Sequence, residues 1–196
     1  MRYDRVTRWL HACIVLSISV QLMTSGLMEV PEPVRTIPAA EITFFKIHEW
    51  SGITVLTLLM LHWIWELTGH AAGQWVHLFP WFSKESRESV ISDLKSMPLL
   101  IRRGFSGEPN QGTAIAGAVH GLGLLTATGM ALTGSVLFFG IGSDGAMNPY
   151  VSFVEETHQV TAIFLWAFLS GHVSMAILHQ WQGDRVLTRM FNLIEK

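Results

Sequence analysis

The sequence predicts an all-helical integral membrane protein, a bundle of four transmembrane helices, from its composition and from four long apolar segments. Only 14% of the 196 residues are charged and 49% are hydrophobic, and the mean hydropathy is +0.36. Soluble domains carry about 25% charged residues, because their surfaces face water. A membrane protein is therefore the class that this composition favours.

Four segments are long enough to cross the hydrocarbon layer of a membrane. They cover residues 9–28, 46–67, 113–140 and 157–182, and their only charged residues are Lys46, Glu49 and Glu66, close to the ends of the second segment. About 20 helical residues, rising about 1.5 Å each, span the hydrocarbon core. We expect one transmembrane helix in each segment, within a single domain over residues 1–196.

The first segment also resembles a secretory signal peptide, because Arg2, Arg5 and Arg8 precede an apolar run. That run is too long for the hydrophobic region of a typical signal peptide, and residues 24–28 contain no A-x-A cleavage site. We therefore expect an uncleaved first helix.

Basic residues predict the orientation of the helices. Arg35 and Lys46 lie in the connection between the first two segments. The other 11 of the 13 basic residues precede the first segment, separate the second from the third, or follow the fourth: Arg2, Arg5, Arg8, Lys84, Arg87, Lys95, Arg102, Arg103, Arg185, Arg189 and Lys196. Cytoplasmic loops are enriched in lysine and arginine. We therefore expect both termini to be cytoplasmic.

The connection between the second and third segments contains a short amphipathic pattern. Residues 83–97 place Val90, Ile91, Leu94 and Met97 on one helical face, and Pro98 is expected to end the helix. Such a helix is typical of the membrane interface. A docking surface for a soluble partner is the alternative.

The charge and the cysteine content exclude several functions. A net charge of −2 provides no basic surface for nucleic acid. The single cysteine, Cys13, excludes an intrachain disulfide, a covalently attached c-type haem and an iron–sulfur cluster built from this chain alone.

Histidines inside the apolar segments are the candidate functional residues, because a polar side chain in hydrocarbon is costly. His158 and His172 lie 14 residues apart in the fourth segment, and His48 and His62 repeat this spacing in the second. Fourteen steps of about 100° return to nearly the same helix face, about 21 Å further along. Each of these segments therefore carries histidines at two depths.

Two more histidines extend this pattern: His11 near the inner end of the first segment, and His120 in the inner half of the third. Two haems stacked across the bilayer would need such an arrangement. Zinc, which prefers four clustered ligands, and a proton or cation pathway, which usually includes carboxylates, are rival interpretations. His62 or His120 alone could also simply bond a neighbouring hydroxyl group. The six glycines of the third segment permit either close helix packing or a flat macrocycle against the helix.

Motifs on all four segments resemble the bacterial cytochrome b561 family, which includes the cytochrome b subunits of nickel–iron hydrogenases and formate dehydrogenases. The resemblance spans about residues 2–189 and is weakest between the second and third segments. The matching residues are Tyr3-Asp4-Arg5, Arg8-Trp9-Leu10-His11, Ile47-His48-Glu49-Trp50-Ser51-Gly52, Glu156-Thr157-His158, Gly171-His172, His120 and Gly134.

The resemblance implies that the bundle encloses two b-type haems, each held by two histidines. Carried over, His48 and His158 ligate the outer iron, and His11 and His172 ligate the inner iron. Depth counted from the segment ends favours His62 over His11 as the inner ligand. Many relatives carry arginine at the His62 position, which implies a contact with an inner haem propionate instead.

His62 and His120 are therefore expected to bind cofactor beside the inner haem. A quinone site near His120 and the connection between the second and third segments is a further hypothesis, since His120, His62 and Thr126 are spare polar groups there.

The implied function is electron transfer across the bacterial inner membrane, between the quinone pool and a partner such as a c-type cytochrome, a hydrogenase or a molybdoenzyme module. Iron with two axial imidazoles has no free position for substrate, so the chain would be an electron-transfer subunit rather than a complete enzyme. A homodimer in the lipid is compatible with this function. The alternatives are a free-standing cytochrome that acts on a small oxidant such as superoxide, a haem-free transporter that uses histidines, and a structural membrane anchor.

Overall fold

The computed structural model describes residues 4–31, 33, 36–68, 78–102, 114–183 and 185–192, which contain helices and no β-strand. The helices are α1 (Arg5–Ser25), α2 (Ala39–Leu67), a 3₁₀ turn (Pro80–Phe82), α3 (Lys84–Arg102), α4 (Ala114–Gly140), α5 (Pro149–Trp181) and α6 (Val186–Phe191). Among them, α1, α2, α4 and α5 are long and apolar enough to cross a membrane. The predicted all-helical class and its four spans are confirmed.

The outward faces of these four helices are apolar. Leu16 is 68% exposed, and Ile163 and Phe164 are 67% and 63% exposed. Large hydrophobic side chains exposed to this extent would be unfavourable in water and are the normal surface of a helix in contact with lipid.

The first and last of the four spans begin earlier than their charge-free segments, because capping residues lie further out. At the start of α1, the backbone N–H and the hydroxyl of Thr7 donate to the carboxylate of Asp4 over 2.9 and 2.6 Å. At the start of α5, the N–H of Val151 donates to the Asn148 side chain over 3.0 Å, and Pro149 is the first helical residue. Such caps satisfy orphan N–H groups, so both helices extend beyond their uncharged spans.

The amphipathic helix α3 is longer than predicted. It begins beside Ser83, whose hydroxyl oxygen accepts from the N–H of Ser86 over 3.2 Å, and it continues past Pro98 to Arg102. The prediction that Pro98 ends the helix is wrong, since proline removes one backbone N–H and the helix tolerates that loss here. Ile91 and Leu94 are exposed on the predicted apolar face.

The chain forms two compact units. The first unit contains Met1–Trp9, Trp63–Leu125 and Trp166–Lys196, and the second contains Leu10–His62 and Thr126–Leu165. The first unit thus holds the starts of α1 and α4 and the ends of α2 and α5, which an up-and-down bundle requires. The distribution of basic residues predicts that these same ends are cytoplasmic. Of the 13 basic residues, Arg2, Arg35, Arg103 and Lys196 lie outside the described residues.

Candidate functional site

The second unit contains His48 of α2 and His158 of α5. Both side chains are half-buried, and the two imidazoles are near enough to interact electrostatically. These are the histidines that the sequence assigned to the outer level.

Each of these two rings also contacts a threonine on another helix: His48 contacts α1 and His158 contacts α4. Nδ1 of His48 lies 3.1 Å from the hydroxyl oxygen of Thr24 on α1. Nδ1 of His158 lies 2.8 Å from the hydroxyl oxygen of Thr133 on α4. When Nδ1 is engaged in this way, Nε2 is the nitrogen that an imidazole presents to a metal.

The backbone around His48 is held from α1 as well. The side-chain N–H group of Gln21 donates to the His48 carbonyl oxygen and to the hydroxyl oxygen of Ser51, both over 2.6 Å. Gly52 faces Gln21, because a Cβ atom at Gly52 would lie 3.5 Å from the Gln21 nitrogen. One face of α1 therefore positions both the ring and the main chain of His48.

The ring of His158 packs directly on α4 at Gly134. A Cβ atom at that position would lie 3.3 Å from Cε1 of His158, which is tighter than most side-chain contacts. A larger residue would push the ring away from α4. The sequence analysis placed a small residue here only through the family resemblance.

In the first unit, His172 of α5 meets His120 of α4. The ring centroids are 4.9 Å apart and the planes are nearly perpendicular, while Phe168 stacks on the other side of His172 at 5.4 Å. Two imidazoles that ligate one iron approach it from opposite sides, so an edge-to-face contact is not a ligation geometry. His120 is placed as a neighbour of His172 rather than as its co-ligand.

The segment before the 3₁₀ turn lies beside His120. A Cβ atom at Gly121 would lie 1.9 Å from the carbonyl oxygen of Leu78, so only glycine allows this backbone to approach α4. Phe79 stacks on Trp63 of α2 with ring centroids 5.7 Å apart and is 9% exposed. Nothing in the sequence predicted this packing.

Buried polar residues cluster at the same end of the bundle. Arg8 is 9% exposed and donates to the Asn192 carbonyl oxygen, and Glu66 is 4% exposed. Burial favours the neutral form of the Asp4 carboxyl, but hydrogen bonds from Thr7 and Trp65 outweigh it and hold the pKa of Asp4 below its ordinary value. The sequence analysis did not single out Asp4 or Glu66 as members of such a cluster.

The two remaining candidates belong to the second unit. His11 lies in α1 and His62 in α2, and Nδ1 of each is buried. His172 belongs to the first unit, so the choice between His11 and His62 as the inner ligand stays a prediction.

A family model described as prokaryotic cytochrome b561 matches residues 2–193. The chain belongs to the prokaryotic cytochrome b561 family. The matched range includes all four spans and all six candidate histidines, so the family resemblance of the sequence motifs is confirmed. Comparison with curated proteins and with solved structures gives no match. Membership implies a membrane b-type cytochrome, which binds haem b and transfers electrons.

The chemistry of His48 and His158 fits that of haem ligands. Each ring has Nδ1 engaged by a threonine hydroxyl, which leaves Nε2 as the ligand atom. Among the described residues, no three of His, Cys, Asp or Glu converge as a structural zinc site would require.

Proposed function

We propose that this cytochrome b561 holds two b haems and transfers electrons across the bacterial inner membrane, between the quinone pool and a redox partner. The proposal is carried by one observation: α5 carries two half-buried histidines in different units, His158, which interacts electrostatically with His48, and His172. A spacing of 14 residues separates His158 from His172 by about 21 Å along α5. One helix thus contributes at two levels, as two stacked haems require.

When bound, haem would supply one-electron chemistry at its iron. The chain's own residues have three tasks around it. His48, His158 and His172 present ring nitrogens, Thr24 and Thr133 orient two of those rings, and the apolar faces exclude water. His11 completes the proposed inner pair with His172, and His62 is proposed to contact an inner haem propionate.

A quinone site beside His120 is part of this proposal. Nδ1 of His120 lies 2.6 Å from the Ala116 carbonyl oxygen. Because a carbonyl oxygen only accepts, Nδ1 carries the proton, and Nε2 of the neutral ring has a free lone pair. That atom can accept a hydrogen bond from a quinol hydroxyl. The Leu78 backbone packs against α4 at Gly121, the next residue along the helix.

The test is the cofactor content and redox behaviour of the purified chain. We expect about two haems per chain by pyridine haemochrome analysis, low-spin spectra in both oxidation states, and reduction by a quinol. A haem-free preparation would instead favour a transporter that uses its histidines. Two haems that react with superoxide and not with quinol would favour the free-standing cytochrome.

Co-purification from native membranes tests the partner. The proposal expects a c-type cytochrome, a hydrogenase or a molybdoenzyme module to remain attached in mild detergent and to exchange electrons with the reduced chain. A homodimer without such a partner would contradict the role of an oxidoreductase subunit.

A further inference from the structure

We infer that Thr24 and Thr133 are positioning residues that fix the tautomer of the two outer haem ligands and lower the potential of that haem. The inference rests on the proposed ligation by His48 and His158. It follows from the number of protons available at the two threonine hydroxyls. The family resemblance says nothing about these two threonines.

A threonine hydroxyl has one proton and can accept through its lone pairs. The hydroxyl of Thr24 points at its own helix, where it lies 2.8 Å from the Val20 carbonyl oxygen and 3.1 Å from that of Gln21. In this arrangement the hydroxyl donates its single proton to α1. Thr24 then accepts towards His48, and the proton of that contact sits on Nδ1 of His48.

The same count holds at the second ligand. The hydroxyl of Thr133 lies 2.8 Å from the Gly129 carbonyl oxygen and 3.1 Å from that of Met130. Its lone pairs face Nδ1 of His158 at 2.8 Å. The helices α1 and α4 supply no proposed ligand to this iron. Each of them places a threonine hydroxyl against a proposed ligand on α2 or α5 in the same way.

The consequence for each histidine is a defined neutral tautomer. With the proton on Nδ1, Nε2 holds the lone pair and is ready to bind iron without a change of tautomer. If the threonine donated instead, the imidazole would carry its proton on Nε2 and could not ligate. Thr24 is 5% exposed, so water does not compete for this contact.

The hydrogen bond from Nδ1 to the threonine oxygen also has an electronic effect on the haem. Donation from Nδ1 to an oxygen makes the imidazole a more basic ligand. A more basic ligand stabilises ferric over ferrous iron, which lowers the midpoint potential. Without the hydroxyl, the outer haem is expected to become easier to reduce.

The experiment compares two substitutions at each site in the full chain. Thr24→Val and Thr133→Val keep the shape and remove the hydroxyl, and Thr24→Ser and Thr133→Ser restore it. Thr57→Val is the matched control, because the hydroxyl of Thr57 bonds only the Ile53 carbonyl oxygen of its own helix, over 3.0 Å. The readouts are haem content, the midpoint potential of each haem, and the low-spin ferric EPR signal, which reports the orientation of the axial rings.

Each valine variant should shift one haem to a higher potential with an altered EPR signal, while the serine variants and Thr57→Val retain the wild-type values. Loss of the outer haem in a valine variant with recovery in the serine variant supports the same role. Unchanged potentials and EPR signals in both valine variants would overturn the inference, as would failure of serine to restore them. Two haems retained after His48→Ala would instead contradict the proposed ligation.

Discussion

The rings of His120 and His172 meet edge to face, with their centroids 4.9 Å apart. This contact joins α4 to α5 inside the first unit and leaves the two histidines with different tasks. His172 is half-buried and stacked on Phe168, whereas His120 is exposed and bonded through Nδ1 to its own helix. A buried ring suits a ligand, and an exposed ring with a free lone pair suits a quinol.

Substitution of His120 by leucine should therefore separate haem binding from quinol oxidation. We expect His120→Leu to keep about two haems per chain and to slow reduction by quinol by roughly tenfold or more, since a lost hydrogen bond of about 1.4 kcal/mol corresponds to a factor of ten. Stopped-flow reduction by a quinol, with dithionite as the control reductant, measures this. Unchanged quinol kinetics would place the quinone site elsewhere.

The outer pair makes a different prediction, because His48 and His158 are proposed to ligate one iron. His48→Ala and His158→Ala should each lower the haem content from about two to about one per chain, and the double variant should lose no more than either single variant. A b-type haem with one of its two axial ligands removed is poorly held. Pyridine haemochrome analysis decides, and retention of both haems in either variant would contradict the pairing.

The depth of a residue could be predicted from the sequence, and its direction around the helix axis could not. Counting residues placed His48 and His158 at one level, and the structure brings them together. The roles of Thr24 and Thr133 depend on which way two helices are rotated. Other threonines in these spans also bond carbonyl oxygens of their own helix, as Thr54, Thr57 and Thr161 do, so nothing in the sequence separates those two from the others.

The packing of Leu78 against α4 could not be predicted from the sequence for a similar reason. A glycine-rich helix permits close approach at many positions, and only the fold selects Gly121 for the backbone of Leu78. The start of α1 shows the opposite case, since Asp4 followed three residues later by Thr7 forms a local cap. Such a cap can be read from sequence when the search extends beyond the apolar run.

The close approach at Gly121 predicts a steric effect with an internal control. In Gly121→Ala, the new methyl group would overlap the Leu78 carbonyl oxygen, so the Leu78–Phe79 backbone must move and quinol reduction should slow. In Gly129→Ala, nothing lies within 4 Å of the added carbon. That variant should keep its stability or gain up to about 1 kcal/mol from helix propensity. Thermal unfolding and quinol kinetics of the two variants test the difference, and equal behaviour would contradict the packing.

Asp4 predicts a pH dependence of stability at the start of α1. Hydrogen bonds from Thr7 and Trp65 hold its pKa below the ordinary value. A group with a lowered folded-state pKa contributes stability above its unfolded pKa, near 3.9, and loses it as the pH falls through the folded value. Asp4→Ala should cost about 1 kcal/mol at neutral pH through loss of the cap. Asp4→Asn keeps an accepting oxygen, so it should retain most of the stability and lose this part of the acid dependence in unfolding measurements from pH 7 to pH 3.

The choice between His11 and His62 at the inner iron is sharpened by where α1 begins. Counted from Trp9, the first uncharged residue, His11 lies about 3 Å inside its helix, against about 15 Å for His172 counted from Gln182. Because α1 begins at Arg5 and α5 ends at Trp181, these values become about 9 and 14 Å. The mismatch in depth that favoured His62 is therefore much smaller, and the first-helix motif around Arg8 and His11 carries more weight.

We therefore expect His11→Ala to lose the inner haem or convert it to high spin, because the loss of an axial ligand changes the coordination of the iron. His62→Ala should keep two low-spin haems and shift one midpoint potential, since the loss of a propionate contact alters the electrostatics and not the ligand set. Haem content, the high-spin EPR signal and redox titration of the two variants distinguish the roles. If His62→Ala loses the inner haem and His11→Ala retains it, then α2 supplies the partner of both α5 histidines: His48 for His158, and His62 for His172.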